Sequence, residues 1–349
     1  RMLKLSKGQP WPLFILTFFL TFLLSTVLAN VTVMILVSSM ILIVCRGLDH
    51  DPIPFIFSAI LGTEVAGITT LVSSLPAIMV GSAAGIGFID FILVSASFLI
   101  IAIPLIIIYL RKVFPPERIP LSYKVIDTRQ IHALDEWSVV ENRKRFYLAW
   151  VALAIVIIGF IISQPLVVPI VVIAIFGAVS AVVILRSNEE SLMARINFDT
   201  LLFFGGLFVL VGTLEQNEVL EEIAVFLEKL AGGNLYLTGF LILSLGGGLT
   251  GILDNIPVTA ALIPVFREIN QHYPENPQYL WFMLVFAGAF GGGLTPFGSA
   301  ASVLALTILS KEGKPLSFKY TIIRLAPISI VLLILGGIYL TGLAFLGFI

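Results

Sequence analysis

Two acidic residues lie inside long apolar stretches, where a charge is costly unless the protein uses it. Asp254 lies within the apolar segment 236–266, and Glu64 lies within the apolar segment 53–80. Ionisable side chains at membrane depth usually mark a functional site. Each carboxylate could bind a cation or carry a proton, or it could instead cap the end of a helix.

Amide and hydroxyl residues accompany these carboxylates. Asn30 and Asn255 could bind an ion, or they could stabilise irregular backbone, or both. Oxygen ligands suit hard cations, so the combination predicts an ion-binding site. Five hydroxyl residues could contribute, although Ser and Thr in membrane helices more often bond the backbone; they are Thr32, Thr70, Thr259, Thr295 and Ser299.

The candidate residues recur in two copies of one pattern. At an offset of 225 residues the matching pairs include Gly8 and Gly233, Asn30 and Asn255, Gly67 and Gly292, and Thr70 and Thr295. The copies also differ, because Ala29 stands opposite Asp254 and Glu64 stands opposite Ala289. Internal repeats in an apolar chain are typical of transporters that have their site where the two halves meet.

The composition indicates a membrane protein. Of the 349 residues, 58% are hydrophobic and only 12% are charged, and the mean hydropathy is +1.08. A soluble domain is about 25% charged. The single cysteine, Cys45, excludes an internal disulfide and a cysteine metal site. No phosphate-binding loop, catalytic triad or nucleic-acid-binding basic run is visible, so an enzyme is not expected.

The apolar segments predict an all-α polytopic protein with two inverted repeats, each containing a re-entrant hairpin and an interrupted transmembrane helix. On this path, 18 of the 20 Lys and Arg residues share one face, which should be cytoplasmic; only Lys229 and Arg267 lie opposite. The predicted hairpins are 12–45 and 236–266, the interrupted helices are 53–80 and 279–310, and the plain crossings are 92–110, 148–163, 166–185, 199–216 and 321–348.

Three units follow from this path. Residues 1–110 form a first, incomplete repeat, residues 111–147 a cytoplasmic connector, and residues 148–349 a second, complete repeat. By the offset of 225, a counterpart of residues 148–225 is expected before residue 1. Either the chain is truncated, or a separate polypeptide supplies these helices, or the protein is reduced.

Irregular backbone is expected at four places, two in each repeat: 29–32, 62–70, 254–259 and 291–299. Such backbone is tolerated at membrane depth only inside protein or beside a water-filled cavity. The helix ends created there can hold an ion without a charged side chain.

Several segments resemble the ion transporter superfamily, in the branch of the ArsB arsenite carriers, NhaD sodium/proton antiporters and the melanosomal P protein. They are TLLFFGGLFVLVG at 200–212, LDNIPVTAALIP at 253–264, LTPFG at 294–298 and IMVGSAAGIGFIDF at 78–91. The resemblance implies that two hairpin tips and two helix breaks enclose a central site. It also implies transport coupled to protons or sodium, usually in dimers.

The chain departs from the pattern of that superfamily at three places. Ala29 replaces a typical Asp, SSLPA at 73–77 replaces a typical Gly-Asp-Pro-Pro-Asn, and GSAAS at 298–302 replaces Gly-Ala-Ser-Ala-Asn. Polar ligands are thereby lost, while Glu64 is gained in a position where the superfamily commonly has Asn.

The leading expectation is a secondary active transporter that exchanges a cation such as Na⁺ for protons by alternating access, with no cofactor beyond those ions. One alternative is a degenerate, non-transporting membrane subunit or scaffold, and another is a carrier of arsenite or another anion. The expected partners are the lipid bilayer, a second copy in a homodimer or another membrane subunit, and no nucleic acid.

Overall fold

The computed structural model describes residues 2–6, 9–115, 142–163, 166, 168–185 and 198–349. Within these residues the protein is helical and contains no strand. Most of the predicted connector, residues 116–141, lies outside the described residues. The α-helices are α1 Met2–Ser6, α2 Pro10–Ser25, α3 Asn30–Leu48, α4 Pro52–Ala66, α5 Leu75–Ala84, α6 Phe88–Ser95, α7 Leu99–Val113, α8 Arg143–Ser163, α9 Ile170–Leu185, α10 Phe198–Gln216, α11 Val219–Ala231, α12 Leu235–Ile252, α13 Asn255–Asn270, α14 Tyr279–Gly291, α15 Ala300–Lys311 and α16 Phe318–Phe345.

Five stretches of the described chain are long and apolar enough to cross a membrane. Three of them, Phe88–Val113, Arg143–Ser163 and Phe318–Phe345, contain or largely cover the predicted crossings 92–110, 148–163 and 321–348. The other two are α3 and α12, which belong to the segments predicted as hairpins. The described part of the protein is therefore all-helical, and its long apolar helices are those of an integral membrane protein.

The sequence repeat is matched by the helix boundaries. Helices α2 and α12 begin 225 residues apart, and so do α3 and α13, as well as α5 and α15. Helices α4 and α14 end 225 residues apart. The same local signals therefore start and stop the helices in both copies. We call residues 67–74, between α4 and α5, the first break, and residues 292–299, between α14 and α15, the second break.

The two copies interlock rather than lie side by side. Helix α3 of the first copy packs on α15 of the second, and α13 of the second packs on α5 of the first. Helices α3 and α15 run parallel, because they begin at a common cavity and their far ends are joined by an ion pair between Arg46 and Glu312. Beside it, Lys314 Nζ lies 2.8 Å from Asp51 Oδ1.

The helices that precede the breaks form the centre of the molecule. Every residue of α14 is buried, and nearly every residue of α4 is buried. Helix α14 packs closely on α12, and α4 packs in the same way on α2. The contact between α12 and α14 depends on glycine: a Cβ at Gly291 would lie 2.6 Å from Gly247 O and 2.8 Å from Gly247 Cα.

This contact gives a test of the helix packing. Gly291→Ala should lower the free energy of unfolding by about 1–3 kcal/mol, because the obstructing atoms are backbone and cannot rotate away. The matched control is Gly248→Ala on α12, where a Cβ meets nothing within 4 Å. Thermal unfolding in detergent should show a lower midpoint for Gly291→Ala and no loss for Gly248→Ala. Equal midpoints would contradict the described packing.

Candidate functional site

Four helix N-termini meet at one cavity of about 120 Å³. They belong to α3, α5, α13 and α15, so each repeat contributes two. The first residues of all four helices line the cavity, together with parts of both breaks. The lining residues are Ala29, Asn30, Val31, Val72, Ser73, Ser74, Leu75, Pro76, Ile78, Asn255, Ile256, Ser299, Ala300 and Ala301.

Of the described residues that line the cavity, none has a charged side chain. Its polar groups are amides, hydroxyls and the peptide N–H groups at the helix starts. The first N–H groups of an α-helix lack partners within the helix, and the helix dipole places partial positive charge there. The electrostatic character of the cavity is therefore favourable to a negative group.

Two of the four helix starts are closed by their own side chains. Ser74 Oγ accepts a hydrogen bond from Ala77 N at the start of α5, at 3.3 Å. Asp254 Oδ1 accepts one from Ile256 N at the start of α13, at 3.0 Å. These side chains satisfy donors that would otherwise be available to a ligand.

The other two helix starts are open. Ala29 precedes α3 and Ser299 precedes α15, and neither residue caps its helix with its side chain. In α15 the buried Ser302 Oγ also has no hydrogen-bond partner. Since α3 packs on α15, the two open starts belong to neighbouring helices.

The two asparagines occupy equivalent positions but are used differently. Both line the cavity as the first residues of α3 and α13. Asn255 Nδ2 donates to Gly288 O at 3.4 Å, whereas Asn30 Oδ1 is buried without a partner. The repeat is therefore symmetric in position and asymmetric in bonding.

The two predicted threonines of the breaks form the same bond in both copies. Thr70 Oγ1 donates to Thr26 O at 2.7 Å, and Thr295 Oγ1 donates to Gly251 O. Each bond joins a break to the C-terminal end of a helix, since Thr26 is the C-cap of α2 and Gly251 lies in the last turn of α12. These hydroxyls hold the cavity wall in place, and neither residue lines the cavity.

Of the nine predicted site residues, the cavity is lined by Asn30, Asn255 and Ser299. The carboxylate of Asp254 is engaged as the cap of α13, and Thr259 Oγ1 donates to Asn255 O at 2.7 Å. Thr32 is exposed and lies off the cavity wall.

Glu64 lies apart from the cavity wall. Its side chain is buried near the end of α4, and neither carboxyl oxygen has a hydrogen-bond partner. It lies against Gly293 in the second break, beside Ser329 of α16. Glu64 is therefore placed next to the break of the opposite repeat.

Sequence reasoning missed the serines of this region. Ser73 and Ser74 line the cavity, and Ser302 and Ser329 are buried without partners. One signal was available, because Ser74 and Ser299 are related by the offset of 225. Ser329 gave no signal, since its closeness to Glu64 depends only on how α16 packs.

The comparison with known families decides the class of protein. Residues 1–287 match the model of the family CitMHS, described as citrate transporter. The chain belongs to the CitMHS family. It is thus a secondary transporter of the ion transporter superfamily, as the resemblance in the sequence predicted, and the family is one of carriers rather than enzymes.

Individual relatives agree with this family. The chain is 31% identical over 342 residues to an uncharacterised transporter of Mycobacterium tuberculosis, covering 97% of this chain and 78% of the relative. It is 24% identical over 307 residues to the magnetosome protein MamN of Magnetospirillum gryphiswaldense, covering 87% and 68%. It is 23% identical over 392 residues to the human P protein, covering 90% and 47%.

The capping bond of Asp254 can be tested separately from transport. Asp254→Ala should lower the free energy of unfolding by about 1 kcal/mol, because an N–H group at the start of α13 loses its acceptor. Asp254→Asn should be nearly neutral, since Asn caps helices as well as Asp does. Thermal unfolding of both variants in detergent measures the difference. If alanine and asparagine destabilise equally, the carboxylate is not acting as a cap.

Proposed function

We propose that the protein is a secondary active transporter that binds a small carboxylate-bearing anion in the cavity of the four helix N-termini. The observation that carries this proposal is the convergence of four helix N-termini on a cavity without an acidic side chain in its wall. Helix N-termini bind carboxylates and phosphates through peptide N–H groups and the helix dipole. The family description, citrate transporter, supports a carboxylate over other anions.

Residue 29 is central to the choice between an anion and a cation. In the second copy, Asp254 occupies its own helix start with a carboxylate. In the first copy, Ala29 leaves the equivalent start of α3 without a cap. Because residue 29 has no carboxylate, the N–H groups at the start of α3 can instead donate hydrogen bonds to the carboxylate of a substrate.

Exchange of a cation for protons, the leading expectation from the sequence, is the second candidate. Glu64 favours it, because a buried carboxylate without a partner can take up a cation or a proton. Asp254 gives it less support than expected, because its carboxylate serves as a helix cap. A non-transporting scaffold explains neither the open helix starts nor the unused oxygens of Glu64.

The proposed mechanism is alternating access between two inverted repeats, with a re-entrant hairpin in each. The interlocked packing of α3 on α15 and of α13 on α5 supports a pseudo-two-fold relation between the copies. The proposed cytoplasmic face carries the charged cluster of Arg46, Glu312, Asp51 and Lys314, together with the connector 111–147. On the opposite face, Glu228 Oε1 lies 2.6 Å from His272 Nδ1. A homodimer remains part of this proposal.

The decisive variant is Ala29→Asp, assayed by uptake of radiolabelled citrate into liposomes that contain the purified protein. A carboxylate at residue 29 should occupy the start of α3 and repel an incoming anion, so uptake should fall by at least about tenfold. Ala29→Asn is the matched control, because it supplies a cap without a negative charge. It should retain more uptake than Ala29→Asp.

Cation exchange predicts the opposite result. Ala29→Asp would then add an oxygen ligand, and sodium-dependent proton movement in the same liposomes would increase while citrate uptake stayed absent in every variant. Thermal unfolding of each variant shows that the protein is folded before uptake is compared. Offering other carboxylates and arsenite as competitors of labelled citrate then defines which anions the cavity accepts.

A further inference from the structure

Glu64 is the one acidic side chain of the described residues whose carboxyl oxygens are both buried without a hydrogen bond. It is 5% exposed, in the last turn of α4. Placing a charged group in an apolar interior costs several kcal/mol when nothing compensates it. The carboxyl must therefore either take a positive partner during the working cycle or carry a proton.

A second polar group without a partner lies at the same place. Ser329 Oγ on α16 is fully buried and has no hydrogen bond. Both side chains occupy the space beside Gly293 in the second break. A Cβ there would come within 2.8 Å of Glu64 Cδ, and closer still to Glu64 Oε2 and Ser329 Oγ. Gly293 is required here because any larger residue would displace both oxygens.

The surroundings of these oxygens are suited to positive charge. The second break begins directly after α14, whose last residue is Gly291. The C-terminal end of a helix carries partial negative charge from its free carbonyl groups. Broken helices in transporters place such carbonyl ends at the sites of coupling ions.

Among the described residues, no charged side chain is bonded to Glu64. In the described residues, Arg46 is paired with Glu312, and Arg324 lies over the ring of Tyr320, 3.3 Å from its centroid, and donates to Tyr320 O. None of the titratable groups on the surrounding elements bonds to Glu64. These groups are Asp51 before α4, Cys45 and Arg46 on α3, Tyr109, Arg111 and Lys112 on α7, Tyr279 on α14, Lys311 on α15, and Lys319, Tyr320, Arg324 and Tyr339 on α16; α2 has none.

The arrangement exists in only one of the two repeats. At the offset of 225, Glu64 corresponds to Ala289 and Gly293 corresponds to Ile68. Both of these residues are buried and apolar. A single carboxyl at a break between pseudo-symmetric halves is not explained by folding, because the other half folds the same way without it.

We propose that Glu64, held between Gly293 and Ser329, is a proton-binding site separate from the anion cavity, and that its proton drives transport. The carboxylate takes one proton from one side of the membrane and later releases it to the other side, with no other bond changed. A rotation of either side chain would let the protonated carboxyl donate its O–H to Ser329 Oγ, to which Glu64 is not bonded in this structure. A proton needs only one acceptor oxygen, whereas a hard metal ion is usually held by about six oxygen ligands.

The second break links the two sites. Gly293 touches Glu64, and Ser299 at the other end of the break lines the cavity. Within the break, a Cβ at Gly292 would lie 3.2 Å from Gly298 O and 3.3 Å from Ser299 Cβ. An anion that shifts Ser299 and the start of α15 therefore also moves the backbone against Glu64. This packed segment is the physical route for coupling.

The test distinguishes failure of the proton site from failure of the proposed anion site. Only the coupling role of Glu64 rests on the proposed anion site, and its binding of a proton does not. In citrate-loaded liposomes, exchange of labelled for unlabelled citrate requires the cavity but no net proton movement. Glu64→Gln should retain this exchange within about twofold, while uptake driven by an imposed pH gradient falls by at least about tenfold. The control Glu268→Gln, which neutralises an acidic residue at the other end of α13, should keep its pH-driven uptake.

Infrared difference spectra on changing pH give a readout that needs no transport. The purified wild-type protein should show the band of one buried protonated carboxyl, absent from Glu64→Gln. Ser329→Ala should shift that band, because the hydroxyl next to the acid is lost. The spectra remain informative if Glu64→Gln proves unstable, since Ser329→Ala keeps the carboxyl and leaves the cavity untouched.

Three outcomes would overturn the proposal. Unchanged pH-driven uptake in Glu64→Gln would show that the coupling proton binds elsewhere. A band at Glu64 that responds to Na⁺ at constant pH would identify a sodium site instead. Loss of thermal stability in Glu64→Gln, with no carboxyl band in the wild type, would reduce Glu64 to a structural role. Absence of citrate exchange in the wild type would instead count against the anion cavity alone.

Discussion

The organisation of this protein depends on one constraint, which is that peptide groups freed at a helix end inside an apolar environment must find a partner. Both repeats break their helices at the same positions, so four helix starts meet at one cavity. Thr70 and Thr295 stabilise this irregular backbone through the same bond in each copy. The N–H groups that have no side-chain cap are the ones that we propose bind a ligand.

Differences between the copies make the two halves of the cavity unequal. Asp254 and Ser74 close the starts of α13 and α5, which pack together, whereas the starts of α3 and α15, which also pack together, stay open. The N–H groups at the starts of α13 and α5 are thus capped by a side chain, whereas those at the starts of α3 and α15 are not. The asymmetry arises from short side chains at helix N-caps, where a single residue decides whether peptide N–H groups are free.

A second consequence of the two breaks is that the buried carboxyl of Glu64 is kept apart from the cavity. Glu64, which is buried without a hydrogen bond to either carboxyl oxygen, lies next to the second break beside the C-terminal end of α14, while helix N-termini surround the cavity. In the proposed function, the anion and the proton therefore bind at different places, without direct contact between two carboxylates. The second break is the common element of both sites, and its small residues allow the backbone to approach the side chains closely.

The sequence by itself determined the helical membrane class, the family resemblance, the repeat offset and the approximate position of the breaks, because apolar runs and the Gly, Pro and Asn residues that interrupt them act locally. The predicted extent of the irregular backbone was wrong, because residues 30–32, 62–66 and 255–259 are helical. It also pointed to Asn30, Asn255 and Ser299. Only the tertiary structure decided that the carboxylate of Asp254 is used as a cap, that Ala29 leaves a helix start open, and that Glu64 meets Ser329. These facts depend on packing between residues more than 200 positions apart or on which hydrogen bond a side chain makes, and no local pattern specifies either.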